Sequence, residues 1–231
     1  MKIAVRGGHN FQATGARGII DETTEDRKVK DSVIKYLRQE GHEVLDVTPG
    51  NCDVNSDLAY GVNRSNEWGA EYFISIHFNK AYDSYNGAIG TETWIYGTGG
   101  QAEPLAKRIV DKLGTTGLKN RGVKVNSKLY ELRATNMPAV IVETCFTEAT
   151  EDVRIYSEKG FDAIGKLIAE GILNKSIQEP TITPTQPQNS ENGEIFYRVV
   201  TGSYKDRTNA EVQMDKLRKA GFDSFIDILK K

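Results

Sequence analysis

Through the first 173 residues, short runs of β-forming residues alternate with stretches whose apolar positions recur at helical spacing. Ile3–Val5 leads into Val29–Leu37, where Val29, Val33, Ile34 and Leu37 share a helical face, and then into His42–Val47. A helix near Leu58–Trp68 follows, with strands at Tyr72–Ile76 and Thr91–Tyr96, a helix over Pro104–Leu113, and two short strands, Leu129–Leu132 and Ala139–Val142. A last helix, Phe161–Leu173, puts Phe161, Ile164, Leu167, Ile168 and Ile172 on one side. Strands separated by helices are joined by crossovers rather than hairpins, which favours parallel pairing. The expectation is an α/β domain: a single mixed, mostly parallel sheet of about six strands flanked by helices. Gly41, directly before His42, has the position of a helix stop.

The alternation ends at a stretch that cannot order itself by burial. Residues 176–193 hold Pro180, Pro184 and Pro187, half of the chain's 6 prolines, among Thr, Gln, Asn and Ser and without an aromatic residue. This linker separates a domain at 1–175 from a segment at 194–231 that is too short to carry a core unaided. With 38% hydrophobic and 27% charged residues, the chain has the composition of a globular protein. Its net charge of −2 provides no broad positive field, so no nucleic-acid partner is expected. No run approaches the roughly 18–20 apolar residues of a membrane span. Met1–Arg6 passes at once into Gly7-Gly8-His9-Asn10, which leaves no room for the apolar region of a signal peptide; synthesis in the cytoplasm without an export signal is expected. Cys52 and Cys145 lie outside any CxxC spacing and are expected to be free thiols.

Ligands of open α/β sheets gather outside the carboxyl ends of the strands. His9 follows the first strand across Gly7-Gly8, His77 ends Ile74-Ser75-Ile76, and Glu143 ends Ala139–Val142. The third histidine, His42, begins its strand and is expected at the opposite edge. Neutral imidazole with carboxylate is a usual donor set for catalytic zinc, which takes three protein ligands and keeps a position for water. Another ligand is available in Asp21-Glu22-Thr23-Thr24-Glu25-Asp26, where the helix ending at Gly41 begins. Spacing does not choose among these carboxylates, and acidic residues in a helix's first turn are favoured by its dipole without any metal.

Four stretches occur in an order that carries a family resemblance: Arg6-Gly7-Gly8-His9; Glu22, 19 residues before Gly41; Ser75-Ile76-His77-Phe78-Asn79; and Pro138-Ala139-Val140-Ile141-Val142-Glu143-Thr144. Asn120-Arg121-Gly122-Val123 and Leu129-Tyr130-Glu131-Leu132-Arg133 support it. With these, Met1–Leu173 resembles the zinc-dependent N-acetylmuramoyl-L-alanine amidases of the Amidase-3 type, known from bacterial cell-wall hydrolases and phage endolysins. The resemblance implies His9, Glu22 and His77 as ligands of Zn2+, with Glu25 the fallback to Glu22 in the same acidic turn. It implies Glu143 as the catalytic glutamate; Asn79 and Arg133 are further candidates for substrate contact, with a loop-stabilising hydrogen bond or an exposed ion pair the alternative for either. The implied reaction is hydrolysis of the amide joining N-acetylmuramic acid to L-alanine, in which zinc activates water and Glu143 moves its proton. Asn10–Ala16 departs from the Gly-x-Asp continuation common after the first histidine.

Residues 194–231 read as strand, helix and strand, Ile195–Thr201, Thr208–Ala220 and Phe222–Leu229, a small βαβ-like (α+β) module with Thr208 as helix cap. Tyr197–Tyr204, Asn209-Ala210-Glu211 and Leu217–Phe222 resemble half of a SPOR-type peptidoglycan-binding domain, which implies glycan strands as ligands. A lone half leaves a sheet edge and an apolar helix face open, so two chains are expected to pair through it as a homodimer. The whole reads as a peptidoglycan amidase, endolysin-like or released by a sporulating cell, that reaches the wall after membrane permeabilisation or lysis. A non-catalytic wall-binding protein and a zinc peptidase of the stem peptide are the other classes the sequence admits.

Overall fold

Strand parity governs the architecture. The structure, a computed structural model, describes residues 1–178 together with 202, 206–219, 221, 224 and 226. It divides into two units, Met1–Pro180 and Thr181–Lys231. In the first, the elements run β1 (Lys2–Gly7), α1 (Glu22–Gln39), β2 (Glu43–Asp46), α2 (Val54–Trp68), β3 (Tyr72–Asn79), β4 (Thr91–Ile95), α3 (Ala102–Gly114), β5 (Asn120–Val125), α4 (Tyr130–Ala134), β6 (Ala139–Phe146) and α5 (Thr150–Leu173). The strands form one six-stranded sheet in the order β2-β1-β3-β6-β4-β5. All pairings are parallel except β4 against β6. This is the α/β architecture the alternation predicts.

Successive side chains of a strand take opposite faces. Ile3 and Val5, Ile74, Ile76 and Phe78, and Val140 and Val142 share one core with Val29, Val33 and Leu37 of α1, Leu105 and Ile109 of α3, and Ile164 and Ile168 of α5. Ala4, Phe73, Ala139 and Ile141 point the other way and pack with Leu132 of α4 and Trp68 of α2. Continued toward the carboxyl ends, the same parity sends Arg6, Ser75, His77 and Glu143 to the α2/α4 face. Because β4 runs antiparallel to β6, the start of β4 reaches the same place and sets Glu92 opposite Glu143.

Four local expectations are corrected. Leu129–Leu132 is not a strand: α4 occupies it, since Leu-Tyr-Glu-Leu-Arg-Ala has no β-branched residue and its two leucines stand three apart, which suits a helix. The sixth strand is instead β5, a polar stretch with Gly122 at φ +78°, which carries no apolar run to announce it. The last helix starts earlier, at Thr150, and breaks at Gly160 (φ 77°, ψ 151°); Phe161, just past the break, is 45% exposed rather than in the core. β3 and β6 run on to Asn79 and Phe146, so His77 and Glu143 lie within strands.

Asp21 caps α1 by accepting from Thr24 N at 3.0 Å. Gly41, at φ +80°, ends that helix turn with Gly41 N donating to Arg38 O and His42 N to Leu37 O. Both cysteines are free, Cys145 buried and Cys52 partly so. No helix among the described residues is long and apolar enough to cross a membrane.

In the second unit a helix, α6 (Arg207–Lys219), is described. Asp206 accepts from Thr208 N at 2.7 Å, so the capping side chain is Asp206 and not Thr208. The strand expected at 195–201, most of that expected at 222–229, and most of the 176–193 linker lie outside the described residues.

Candidate metal centre

The cap at Asp21 makes Glu22 the first helical residue, and its carboxyl enters a nearly closed space, 3% exposed. Glu22 Oε2 accepts from Ala16 N at 2.6 Å and Oε1 from Phe78 N at 3.0 Å. The same Oε1 lies 3.1 Å from His77 Nδ1 and 3.4 Å from His9 Nε2. Donor atoms of His9, Glu22 and His77 all fall within 4.8 Å of one another. The two imidazoles meet edge to face with centroids 5.1 Å apart. Backbone passes so close that a Cβ at Gly8 would collide with the His77 ring and one at Gly15 with the Glu22 carboxyl. This explains the glycines around His9 on either side of the centre.

His77 is held from behind. Its Nε2 is 3.0 Å from Ser75 Oγ and 3.6 Å from Glu131 Oε2. Glu131 Oε1 is 3.1 Å from Arg6 Nη1, and the buried Arg6 also pairs with Asp57 on α2. Asp57 Oδ2 in turn accepts from Asn10 Nδ2 at 2.6 Å. A carboxylate behind one ring nitrogen fixes the ring so that the other faces the cluster, the usual support of a metal-binding histidine. Burial alone would lower the His77 pKa, but Glu131 and Glu22 hold it well above its ordinary value. Burial would raise Glu22, yet hydrogen bonds and charge from His77 and His9 keep it far below the usual carboxylate range. Asp26, which accepts from His9 N at 3.3 Å, is pushed by burial up to about 7 against the pull of Arg27.

Glu143 stands in register with His77 on one side and with Glu92 on the other. Its Oε2 is buried and has no hydrogen-bond partner among the described residues. Burial pushes the carboxyl up to about 7; His77 opposes this, while Glu22, Glu92 and Glu131 add to it. Glu92 is well supplied, accepting from Asn79 Nδ2 at 3.0 Å and Trp94 Nε1 at 3.1 Å and pairing with Arg121 Nε at 2.7 Å.

The structure thus gathers His9, Glu22 and His77 with Glu143 beside them. Glu25 turns away to accept from Tyr156 Oη and Lys28 Nζ, each at 2.7 Å. Asn79 reaches the site's rim through Glu92, whereas Arg133 is exposed and lies over Tyr130, 5.2 Å from its ring centroid. His42 is 3.5 Å from the terminal amine at Met1, at the far edge of the sheet. Sequence reasoning missed Arg6, Glu92 and Glu131. Parity along β1 and β4 could have found the first two; Glu131 was hidden by reading α4 as a strand.

Residues 3–174 match the family model described as N-acetylmuramoyl-L-alanine amidase. The chain belongs to this family. An uncharacterised protein of Clostridium perfringens (strain 13 / Type A) is 69% identical over 180 residues, which cover 78% of this chain and 53% of that protein. The chain therefore spans about half the length of this relative. Among solved structures, the catalytic domain of the CD27L endolysin targeting Clostridia difficile superposes with a TM-score of 0.69 at 31% identity, covering 77% of this chain and 99% of that one. The amidase AmiC2 of Nostoc punctiforme gives a TM-score of 0.67 at 26% identity, covering 75% and 96%. Residues 165–227 match a SPOR domain model, which starts inside α5 of the amidase unit and so reaches upstream of the 194 boundary expected from sequence.

Proposed function

We propose that the chain hydrolyses the amide bond between N-acetylmuramic acid and L-alanine in peptidoglycan, with Zn2+ held by His9, Glu22 and His77. The observation that carries this reading is the buried, unpartnered Glu143 oxygen beside a cluster of two imidazoles and one carboxylate. That donor set suits catalytic zinc, which takes three protein ligands and leaves a position for water. When bound there, the ion would supply Lewis acidity toward water and the scissile carbonyl.

The remaining work falls to the chain. Glu143 accepts a proton at Oε2 from the attacking water and delivers it to the departing amine. The carbonyl carbon gains the hydroxyl and becomes the carboxylate of the muramic acid lactyl group; L-alanine leaves with a free amine. Glu131 and Arg6 keep the His77 ring oriented. Glu92, anchored by Arg121 and Trp94, accepts one Nδ2 hydrogen of Asn79 and leaves the other for substrate at the rim.

Digestion of purified sacculi by metal-stripped and zinc-restored protein tests the reading. Stem peptides that begin with a free L-alanine should appear in the mass spectrum only after zinc is restored. Newly cleaved bonds inside the stem would identify a peptidase, and intact sacculi in both arms a binding protein.

For the SPOR-matching region we propose glycan strands as the ligand and pairing of two chains through residues 194–231. The match to a SPOR domain model supports the glycan ligand; the pairing follows from reading 194–231 as half of such a domain. Light scattering should show a dimer for the full chain and a monomer once 176–231 are deleted. A monomeric full chain at micromolar concentration overturns the pairing.

A further inference from the structure

Directly after β6, the Thr147-Glu148-Ala149 turn carries a second buried carboxyl that the proposed reaction does not use. Glu148 is 2% exposed. Its Oε1 accepts from Ala81 N at 2.8 Å and Tyr82 N at 2.9 Å, while its Oε2 is buried with no hydrogen-bond partner among the described residues. It lines a surface cavity of about 510 Å³ together with Arg17, Ile19, Asp83, Tyr85 and Asn86. An oxygen left in this condition is destabilising unless a donor reaches it. The cavity is the route by which a donor would arrive, and its volume is that of a small-ligand site.

The walls indicate what kind of donor. Tyr82 and Tyr85 stack on each other with centroids 5.4 Å apart and planes 23° from parallel, yet they are 56% and 37% exposed. The loop that bears them is pinned: Tyr85 N donates to Glu148 O at 3.2 Å and Thr150 N to Tyr85 O at 3.0 Å. Of the two, Tyr85 lines the cavity and Tyr82 backs its ring from outside; an exposed aromatic held rigid at a cavity mouth suits a flat ligand with an apolar face and polar edges. Arg17 and Asp83 both line the cavity, so its fixed charges offset each other and suit a donor without net charge. A neutral hydroxyl or amide N–H on a ring meets every condition. The cavity also adjoins the metal centre through the 16–21 turn, where Ala16 N donates to Glu22 and Ile19 N to Thr147 O at 2.8 Å.

We propose that this cavity is a saccharide subsite, in which Glu148 accepts from a sugar hydroxyl or acetamido N–H and Tyr85, backed by Tyr82, supports the ring face. It rests on the reading of peptidoglycan as substrate, and it places the glycan rather than the stem peptide on this side of the centre.

The probe is a β-1,4-linked trimer of N-acetylglucosamine, titrated by calorimetry into the full chain and into Glu148→Gln and Tyr85→Ala. The wild type should bind, and each variant should bind at least 10-fold more weakly while its melting temperature and zinc content stay those of the wild type. On sacculi the variants should raise KM by a similar factor and leave kcat unchanged. No binding by the wild type overturns the proposal, as does equal binding by all three proteins, which would put the sugar elsewhere or only a water on Glu148. Saccharide binding that depends on Glu148 in a protein that cleaves nothing would uphold the subsite and reject the amidase reading.

Discussion

Replacing Glu143 by glutamine should lower kcat on sacculi by roughly 10²- to 10⁴-fold, the usual worth of a positioned general base, while zinc remains bound. The amide keeps the size of the side chain but cannot take a proton from water. Glu143 is not among the three clustered donors, so the His9, Glu22 and His77 set is untouched. A second effect has the opposite sign. In the metal-free protein the Glu143 carboxyl sits at about 7, above the 4.5 it has when exposed, because burial disfavours its charge. Below pH 4.5 both folded and unfolded chains hold the proton and the residue costs nothing. The cost grows as pH rises and is complete above about 7, on the order of 3 kcal/mol. Metal-free Glu143→Gln should therefore melt higher than the metal-free wild type at pH 8, with the gap closing toward pH 4.5. Activity within a few-fold of wild type would remove Glu143 as the base, and a variant less stable at pH 8 would remove the burial argument.

The carboxyl edge of the sheet was legible because the strands that form it are the apolar ones. β1, β3 and β6 are central, buried on both faces, and read as continuous hydrophobic runs. A histidine or glutamate that interrupts such a run is conspicuous, and His77 and Glu143 were found that way. Choosing Glu22 over Glu25 was not possible from spacing, since both lie in the first turn of α1. What separates them is the partner each meets across the fold: the imidazoles for Glu22, Tyr156 of α5 for Glu25. Glu131 and β5 stayed hidden for a related reason. Neither belongs to an apolar run, and each is defined by long-range contacts, with Arg6 and His77 in one case and with β4 in the other. Glu148 carries no motif at all; only the loop at 81–85 folded over it makes its free oxygen noticeable.

The ligand assignment makes the sharper prediction. Glu22→Gln should weaken zinc binding by more than the roughly 10- to 100-fold that a supporting carboxylate is worth, because it removes a charged donor from the centre itself. Glutamine is the informative substitution. Its oxygen still accepts from Phe78 N or Ala16 N, so the fold keeps an acceptor where alanine would strand two backbone donors at about 1–3 kcal/mol each. Glu25→Ala makes the matching control: it gives up the exposed Lys28 contact, worth about 1 kcal/mol or less, strands the buried Tyr156 hydroxyl at about 1–3 kcal/mol, and leaves the His9, Glu22 and His77 cluster intact. Metal content measured on dialysed protein should then read near one zinc per chain for wild type and Glu25→Ala, and near zero for Glu22→Gln, with circular dichroism unchanged in all three. The reverse pattern, zinc retained by Glu22→Gln and lost by Glu25→Ala, would move the ligand to Glu25. That in turn would require the first turn of α1 to rotate, since the carboxyl of Glu25 now points at α5 and not at the histidines.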